Sequence, residues 1–354
     1  MLKLDEVFTA VGTPNIALVK YWGKRNDKLN LPANSSLSMT LDESLATRTS
    51  VLFSKKLKED ALYINGERQQ TRGGTEEKVL FTMGVLDAMR AQAGTKAHCL
   101  VVSRNAFPTG AGLASSAAGA ATLVFVLSKA LGLKSSSMRD LSVLARRISG
   151  SGCRSLFGGF VKWDRGSRRD GLDSYAEQVA DSRHWPDIVD VIAIVAGGRK
   201  KVPTAEGHAR TVATSRLFTQ RPVVAEANFR GAVNAVEDRD FATLSTIVMR
   251  DSNNMHATCM DAYPPIMYLN DKSREIIEAV HLLNESEGRQ IAAYTFDAGP
   301  NAHIITRKGD AVKVRAVVER IVGRENIILA GQGEGPRVVN DRKPLIDGEA
   351  MAPI

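Results

Sequence analysis

Four segments of the 354-residue chain concentrate residue types that can do chemistry. Pro108-Thr109-Gly110-Ala111-Gly112-Leu113-Ala114-Ser115-Ser116 sets two glycines and two hydroxyls at the head of a run of small apolar residues. Glycine lets a backbone approach a ligand closely, and the unpaired N–H groups of a helix start favour phosphate. A small-residue helix start packed on a sheet is the competing reading, and the Gly-Lys-Ser/Thr ending of a Walker loop is absent. Ser149-Gly150-Ser151-Gly152-Cys153-Arg154-Ser155 is a second candidate anion loop, because arginine holds a carboxylate or phosphate through two parallel hydrogen bonds. It also reads as a helix C-cap, with Gly150 ending the preceding helix. Ala293–Asn301 delivers one carboxylate, Asp297, at the end of an apolar strand, where a general base would be held rigidly. Aspartate before a turn is equally a common local cap. Finally, Pro14–Arg25 sets Lys20, Lys24 and Arg25 around Tyr21 and Trp22. That mixture suits a diphosphate, the stacked bases of a single-stranded nucleic acid, or a solvated basic edge.

These segments need a frame. Alternation and β-branched content predict strands over Arg48–Phe53, Ala61–Ile64, Ala97–Val102 and Val191–Ala196, with an Asn65-Gly66 turn after the second. Helical periodicity predicts helices over Thr75–Ala93, stopped by Gly94, and Ser116–Leu131, stopped by Gly132. Ser137 with Asp140 forms a capping arrangement that opens a helix carrying Leu141, Leu144, Ala145 and Ile148. Arg165–Gly171 reads as a loop, and the stretch up to Asp187 approaches a domain boundary, dividing the chain into 1–187 and 188–354. Beyond it, helices are expected over Val224–Val236 and Phe241–Met249. Helix 272–286, strands 291–296 and 302–306, helix 311–322 and strand 326–330 then suggest an α+β sandwich of ferredoxin type.

Lys and Arg total 47 against 39 Asp and Glu, a formal net charge of +8, so an anionic partner is expected: nucleic acid, an acidic membrane surface or phosphorylated small molecules. An apolar fraction of 44% argues against intrinsic disorder, and no apolar run approaches the roughly 20 residues of a membrane span. Three widely spaced cysteines, Cys99, Cys153 and Cys259, suit a reducing compartment; no secretory signal is seen at the N-terminus, and a cytoplasmic location is expected, an organelle not being excluded.

The loop at Pro108–Ala117 resembles the phosphate loop of the GHMP superfamily of small-molecule kinases. Within that superfamily the strings NIALVKYWGKR, FPTGAGLASSAAG, SGSGCRSLFGG, MRDSNNMHATC and AYTFDAGPNA resemble the mevalonate diphosphate decarboxylases, across most of the chain from about Asn15 to Pro336. The resemblance implies an N-terminal lobe like the second domain of ribosomal protein S5, a C-terminal ferredoxin-like lobe and a homodimer. It also implies ATP-dependent conversion of mevalonate 5-diphosphate to isopentenyl diphosphate, ADP, phosphate and CO2, with Mg²⁺ accompanying ATP. It implies Asp297 as the catalytic carboxylate, Arg154 as the holder of the substrate carboxylate and Lys20 beside the reacting centre. Tyr21, Trp22, Gly23 and Lys24, with Ser149, Gly150, Ser151, Gly152 and Cys153, would hold the substrate, joined by Lys78 and Thr204. Asn105, Pro108, Gly110, Gly112, Leu113, Ala114, Ser115 and Ser116 would surround the nucleotide, with Asn34 in the same region. Metal ligands are not assigned.

The chain departs from the family's pattern in places. Gly12-Thr13-Pro14-Asn15 stands where the family usually reads Ala-Pro-Val-Asn, Thr204 is followed by Ala205 instead of a second hydroxyl or an arginine, and Lys78 replaces an arginine. A GHMP-type kinase that stops at the phosphate ester is the alternative enzyme. A nucleic-acid-binding module is the alternative outside enzymes, and it lacks a recognisable motif set; neither nucleic acid nor membrane is expected as a partner.

Overall fold

In the computed structural model, which describes residues 2–71, 77–106, 115–133, 136–195, 201–340 and 343–354, the apolar run Asn15–Val19 is a strand buried along its whole length. Such continuous burial requires cover on both faces, and two lobes provide it.

The first lobe holds two sheets. Strands β1 (Val7–Gly12), β6 (Thr47–Ser54), β7 (Ala61–Ile64), β8 (Glu67–Gln69) and β9 (His98–Asn105) join β16 (Arg337–Val338) in the order β16-β1-β6-β9-β7-β8. Helix α1 (Glu77–Gln92), α2 (Ser115–Ala130) and α3 (Met138–Ile148) pack together, and α2 lies on β1 and β6. The small residues Ala117, Ala118 and Ala121 let α2 approach the sheet closely, and a side chain at Gly12 would overlap the Thr122 hydroxyl. The expected capping box of Ser137 and Asp140 opens α3. The second sheet has the order β11-β10-β5-β2, from β11 (Ala176–Ala180), β10 (Phe160–Trp163), β5 (Ser36–Thr40) and β2 (Asn15–Val19). A short hairpin of β3 (Lys24–Asn26) and β4 (Leu31–Pro32) follows β2.

The second lobe is an antiparallel sheet, β13-β14-β12-β15, of β12 (Ile188–Ala193), β13 (Ala292–Phe296), β14 (Ala302–Arg307) and β15 (Ile327–Ala330). Helices α7 (Asp271–Ser286) and α8 (Ala311–Val322) pack on it, as does α6 (Phe241–Asp261), which pairs with α5 (Arg221–Glu237). Helix α4 (Thr204–Thr214) leans on α6. The largest core joins the lobes: Ile16, Leu18, Met39 and Phe160 of the first lie with Phe229, Val248 and Tyr294 of the second. After β15 the chain returns to the first lobe, where β16 pairs with β1 and the final hairpin of β17 (Ile346–Asp347) and β18 (Ala352–Pro353) lies beside β6.

The fold is α+β. The last third matches the expected elements closely. Helix α6, expected to stop at Met249, runs to Asp261, because Met255 and Cys259 keep the apolar spacing while the polar residues between them find buried partners. Of the two readings of the Ser149–Ser155 segment, the helix end is seen one residue early: Ser149 is the C-cap of α3, and Gly150–Leu156 continues as a 3-10 turn.

Candidate functional site

The end of β2 and the end of β13 meet where the lobes join. Lys20, the residue after β2, is almost fully buried and places Nζ 2.7 Å from Oδ1 of Asp297, just after β13. The two partners differ in exposure: the Lys20 side chain is 2% accessible and that of Asp297 is 34%. The carboxylate therefore faces solvent-accessible space with a buried ammonium behind it. Burial pulls the Lys20 ammonium below the ordinary lysine range, and the Asp297 charge opposes that pull.

Arg154 stands nearby in the 3-10 turn. Its Nη1 donates to Ser36 Oγ (2.6 Å) and its Nε to Asn15 Oδ1 (3.2 Å), and the guanidinium lies 5.7 Å from the Trp163 ring centre. Asn15 is fixed in turn by donating to Ser155 Oγ (2.8 Å) and the Ser151 carbonyl (3.1 Å). These partners are neutral, so the buried Arg154 charge is available to an anion; burial lowers its pKa, while Asp297 is among the groups that raise it.

The YWGK segment continues from Lys20. The Tyr21 ring lies 4.7 Å from Trp163 and 4.6 Å from His208, and its buried hydroxyl has no hydrogen-bond partner among the described residues. A side chain on Gly150 would sit 2.6 Å from that ring, so glycine lets the Ser149–Gly152 loop lie against Tyr21. Trp22 donates to Thr211 Oγ1 (3.2 Å) and stacks on His208 at 4.3 Å. Gly23, at φ +85°, donates its N–H to His208 Nδ1 (2.8 Å). Lys24 Nζ lies 3.6 Å from Asp27 Oδ1. His208 was not singled out from sequence; burial and the Lys24 charge push its pKa down to about 3, which keeps the imidazole neutral and Nδ1 an acceptor.

Ser116, near the start of α2, has its hydroxyl 3.4 Å from that of Ser149, linking the two serine/glycine segments. Cys153 packs with Val161, Trp163 and Ala176, and burial pushes its thiol up to about 12. Thr204 opens α4, Asn105 accepts from Thr47 Oγ1 (2.8 Å), and Asn34 donates to the Lys20 carbonyl (2.9 Å). Pro108, Gly110, Gly112, Leu113 and Ala114 lie outside the described residues, as do the side chains of Lys78 and Ser115. Sequence reasoning gave no role to Arg221, Asp251 and Ser252, which surround the Lys20 backbone and the end of β13; Asp251 and Ser252 were signalled by the family-like string MRDSNNMHATC, and Arg221 by nothing.

Two family models cover the chain: the diphosphomevalonate decarboxylase-like N-terminal domain over residues 12–176 and the mevalonate 5-diphosphate decarboxylase C-terminal domain over 190–339. The chain belongs to the diphosphomevalonate decarboxylase family. The diphosphomevalonate decarboxylase of Aspergillus fumigatus is 44% identical, over 97% of each chain. The mevalonate diphosphate decarboxylase of Trypanosoma brucei superposes with a TM-score of 0.88 at 30% identity, over 97% of this chain and 100% of the other. MDDEF in complex with MVAPP, AMPPCP and magnesium superposes with a TM-score of 0.84 at 34% identity, over 94% and 98%. As a diphosphomevalonate decarboxylase of GHMP fold, the chain is an enzyme with ATP as its co-substrate. Among the described residues no helix is long and apolar enough to cross a membrane.

Proposed function

We propose that the junction of the lobes carries the decarboxylation of mevalonate 5-diphosphate, with the residues in the following roles; the second lobe is the segment from Ile188 to Ala330, and the chain after it, expected with the second lobe, packs on the first because β16 pairs with β1. The ion pair of buried Lys20 with partly exposed Asp297 is the observation that carries the reading. Lys20 holds the Asp297 carboxylate in place, and the exposed side of that carboxylate takes the proton of the substrate C3 hydroxyl. That oxygen attacks the γ-phosphorus of ATP and ADP departs. Phosphate then leaves C3 with the bonding electron pair; hydroxide would be a far poorer leaving group, water's pKa being about 15.7 against roughly 6 for the second ionisation of phosphate. Electrons of the C1–C2 bond form the C2–C3 double bond as CO2 is released.

Arg154 suits the C1 carboxylate, since it is buried with neutral hydrogen-bond partners. Tyr21, with its unpartnered hydroxyl, Lys24 and the Ser149–Gly152 segment suit the diphosphate, and Ser116 the transferring phosphoryl group. Among the described residues no cluster of three or more His, Cys, Asp or Glu side chains is placed to hold a metal ion, so Mg²⁺ is assigned to the phosphates of ATP. Its chemistry there is charge neutralisation.

The partners are two small anions, without nucleic acid or membrane, in a cytoplasmic homodimer. The test is product analysis: ATP and mevalonate 5-diphosphate should yield CO2 and phosphate in equal amounts. ADP with a stable phosphoester and no CO2 would instead indicate a kinase.

A further inference from the structure

The string Asp251-Ser252-Asn253-Asn254-Met255-His256 lies on α6 and has no part in the roles assigned above, yet it bonds the backbone of Lys20 and of Phe296, the residue before Asp297. On one side, Lys20 donates its backbone N–H to Asp251 Oδ2 (2.7 Å). The Lys20 carbonyl accepts from Arg221 Nη2 (3.0 Å) and Asn34 Nδ2 (2.9 Å). Arg221 and Asp251 are themselves a completely buried pair, joined through Nη1 to Oδ1 (2.7 Å) and Nη2 to Oδ2 (3.0 Å). Asn228 donates to Asp251 Oδ1 (3.0 Å), and Arg221 Nη1 donates to Asn254 Oδ1 (2.9 Å). On the other side, Phe296, the residue before Asp297, donates its N–H to Ser252 Oγ (3.0 Å). His256 Nε2 lies 3.4 Å from the Phe296 carbonyl, and Asn253 Nδ2 donates to Tyr294 Oη (2.9 Å).

We infer that this turn of α6, with Arg221, is a template that sets the separation of Lys20 and Asp297, and that Asp251, Ser252 and Arg221 are positioning residues for the decarboxylation. Lys20 comes from the first lobe and Asp297 from the second, so nothing in either strand alone fixes their distance. Consecutive residues of one helix do: Asp251 holds the Lys20 peptide and Ser252 holds the peptide before Asp297. A buried ion pair by itself is weak support for stability, because desolvation of two charges offsets their attraction. Here the pair is neutral overall and presents an acceptor to the Lys20 N–H and a donor to the Lys20 carbonyl, gripping the peptide units on either side of that residue. It therefore orients the backbone while adding no net charge beside the reacting groups. A displacement of about 1 Å at such a site costs on the order of 100-fold in rate.

The inference rests on the roles proposed for Lys20 and Asp297, and the experiment separates the two. Purified full-length Asp251→Asn, Ser252→Ala, Lys20→Met and Asp297→Asn are assayed for kcat, for KM of both substrates, and for the pH profile of kcat. Ser50→Ala is the matched control, because Ser50 Oγ also accepts a buried backbone N–H, that of Leu345 (2.9 Å), but in the remote first sheet. Ser252→Ala and Ser50→Ala should lose similar thermal stability. Only Ser252→Ala should lose kcat, by about tenfold or more, with both KM values within about threefold and a shifted pH profile. Asp251→Asn should lose about 100-fold. Unchanged kcat in folded Ser252→Ala, or an equal loss in Ser50→Ala, overturns the template; Ser252→Ala decides alone if Asp251→Asn does not fold. Near-normal activity in Lys20→Met and Asp297→Asn would instead overturn the roles of the pair itself.

Discussion

Acid should weaken this protein through His208, and the amount follows from the geometry. The imidazole is buried between Trp22 and Tyr21, near the Lys24 cation, and its Nδ1 accepts the Gly23 N–H. A proton on Nδ1 would set two donors against each other and place a second cation beside Lys24. Its pKa accordingly falls from the ordinary 6.5 to about 3. For a histidine with a lowered folded pKa, the unfolded chain binds more protons between the two values, so stability is lost as pH falls below about 6.5 and the loss levels off near pH 3. At pH 5 the gap of about 1.5 pH units is worth about 2 kcal/mol, since one unit is about 1.4 kcal/mol. His208→Asn keeps an acceptor at the Nδ1 position and removes the titration. It also loses ring stacking, a pH-independent cost on the order of 1 kcal/mol. Urea unfolding followed by tryptophan fluorescence at pH 7.5, 6.5, 5.5 and 5 gives the readout. Wild type should lose about 2 kcal/mol more than His208→Asn between the ends of that series. His256, pushed down to about 4 by burial, is present in both proteins and cancels in the difference. Parallel stability curves for the two proteins would refute the reasoning.

Other outcomes follow from the site. Asp297→Asn should reduce kcat at least about 100-fold while nucleotide affinity, measured by calorimetry, stays within a few fold, because the carboxylate acts on the substrate hydroxyl. Arg154→Met should raise KM for mevalonate diphosphate and lower kcat, about 100-fold in kcat/KM, read from steady-state kinetics. Gly23→Ala introduces a side chain at φ +85° that overlaps the Phe218 ring. It should lower the thermal midpoint, cost on the order of 1–3 kcal/mol and raise KM for the diphosphate substrate.

The frame of the last third was legible because α7 and α8 are amphipathic over whole helices, while β13 and β14 are short buried runs set between them. Asp297 was legible because an apolar strand leads straight to it. Residues whose partners lie far along the chain were not. Arg221 reads as an ordinary helix-start cation, and only the folded chain brings it to a carboxylate 30 residues away and a carbonyl 201 residues away. His208 shows no pattern on α4; its role comes from Gly23, 185 residues earlier. Asn34 donates to the Lys20 carbonyl, 14 residues earlier, a contact that no local pattern signals. The early strand Asn15–Val19 was overlooked because the four apolar residues Ile16–Val19 do not alternate and so have no period to detect.

The path of the chain between the lobes also bears on how the enzyme can move. It passes into the second lobe at Ile188 and leaves at Ala330, on neighbouring strands where Asp190 pairs with Ala330. A body hung on one tether can swivel; one fastened by two adjacent straps and sharing Leu18, Met39 and Phe160 with its neighbour's core is welded. Opening the two halves like jaws would tear apolar packing apart. A wide hinge motion would have to expose that shared core to water, so the two adjacent crossings and the common packing work against it.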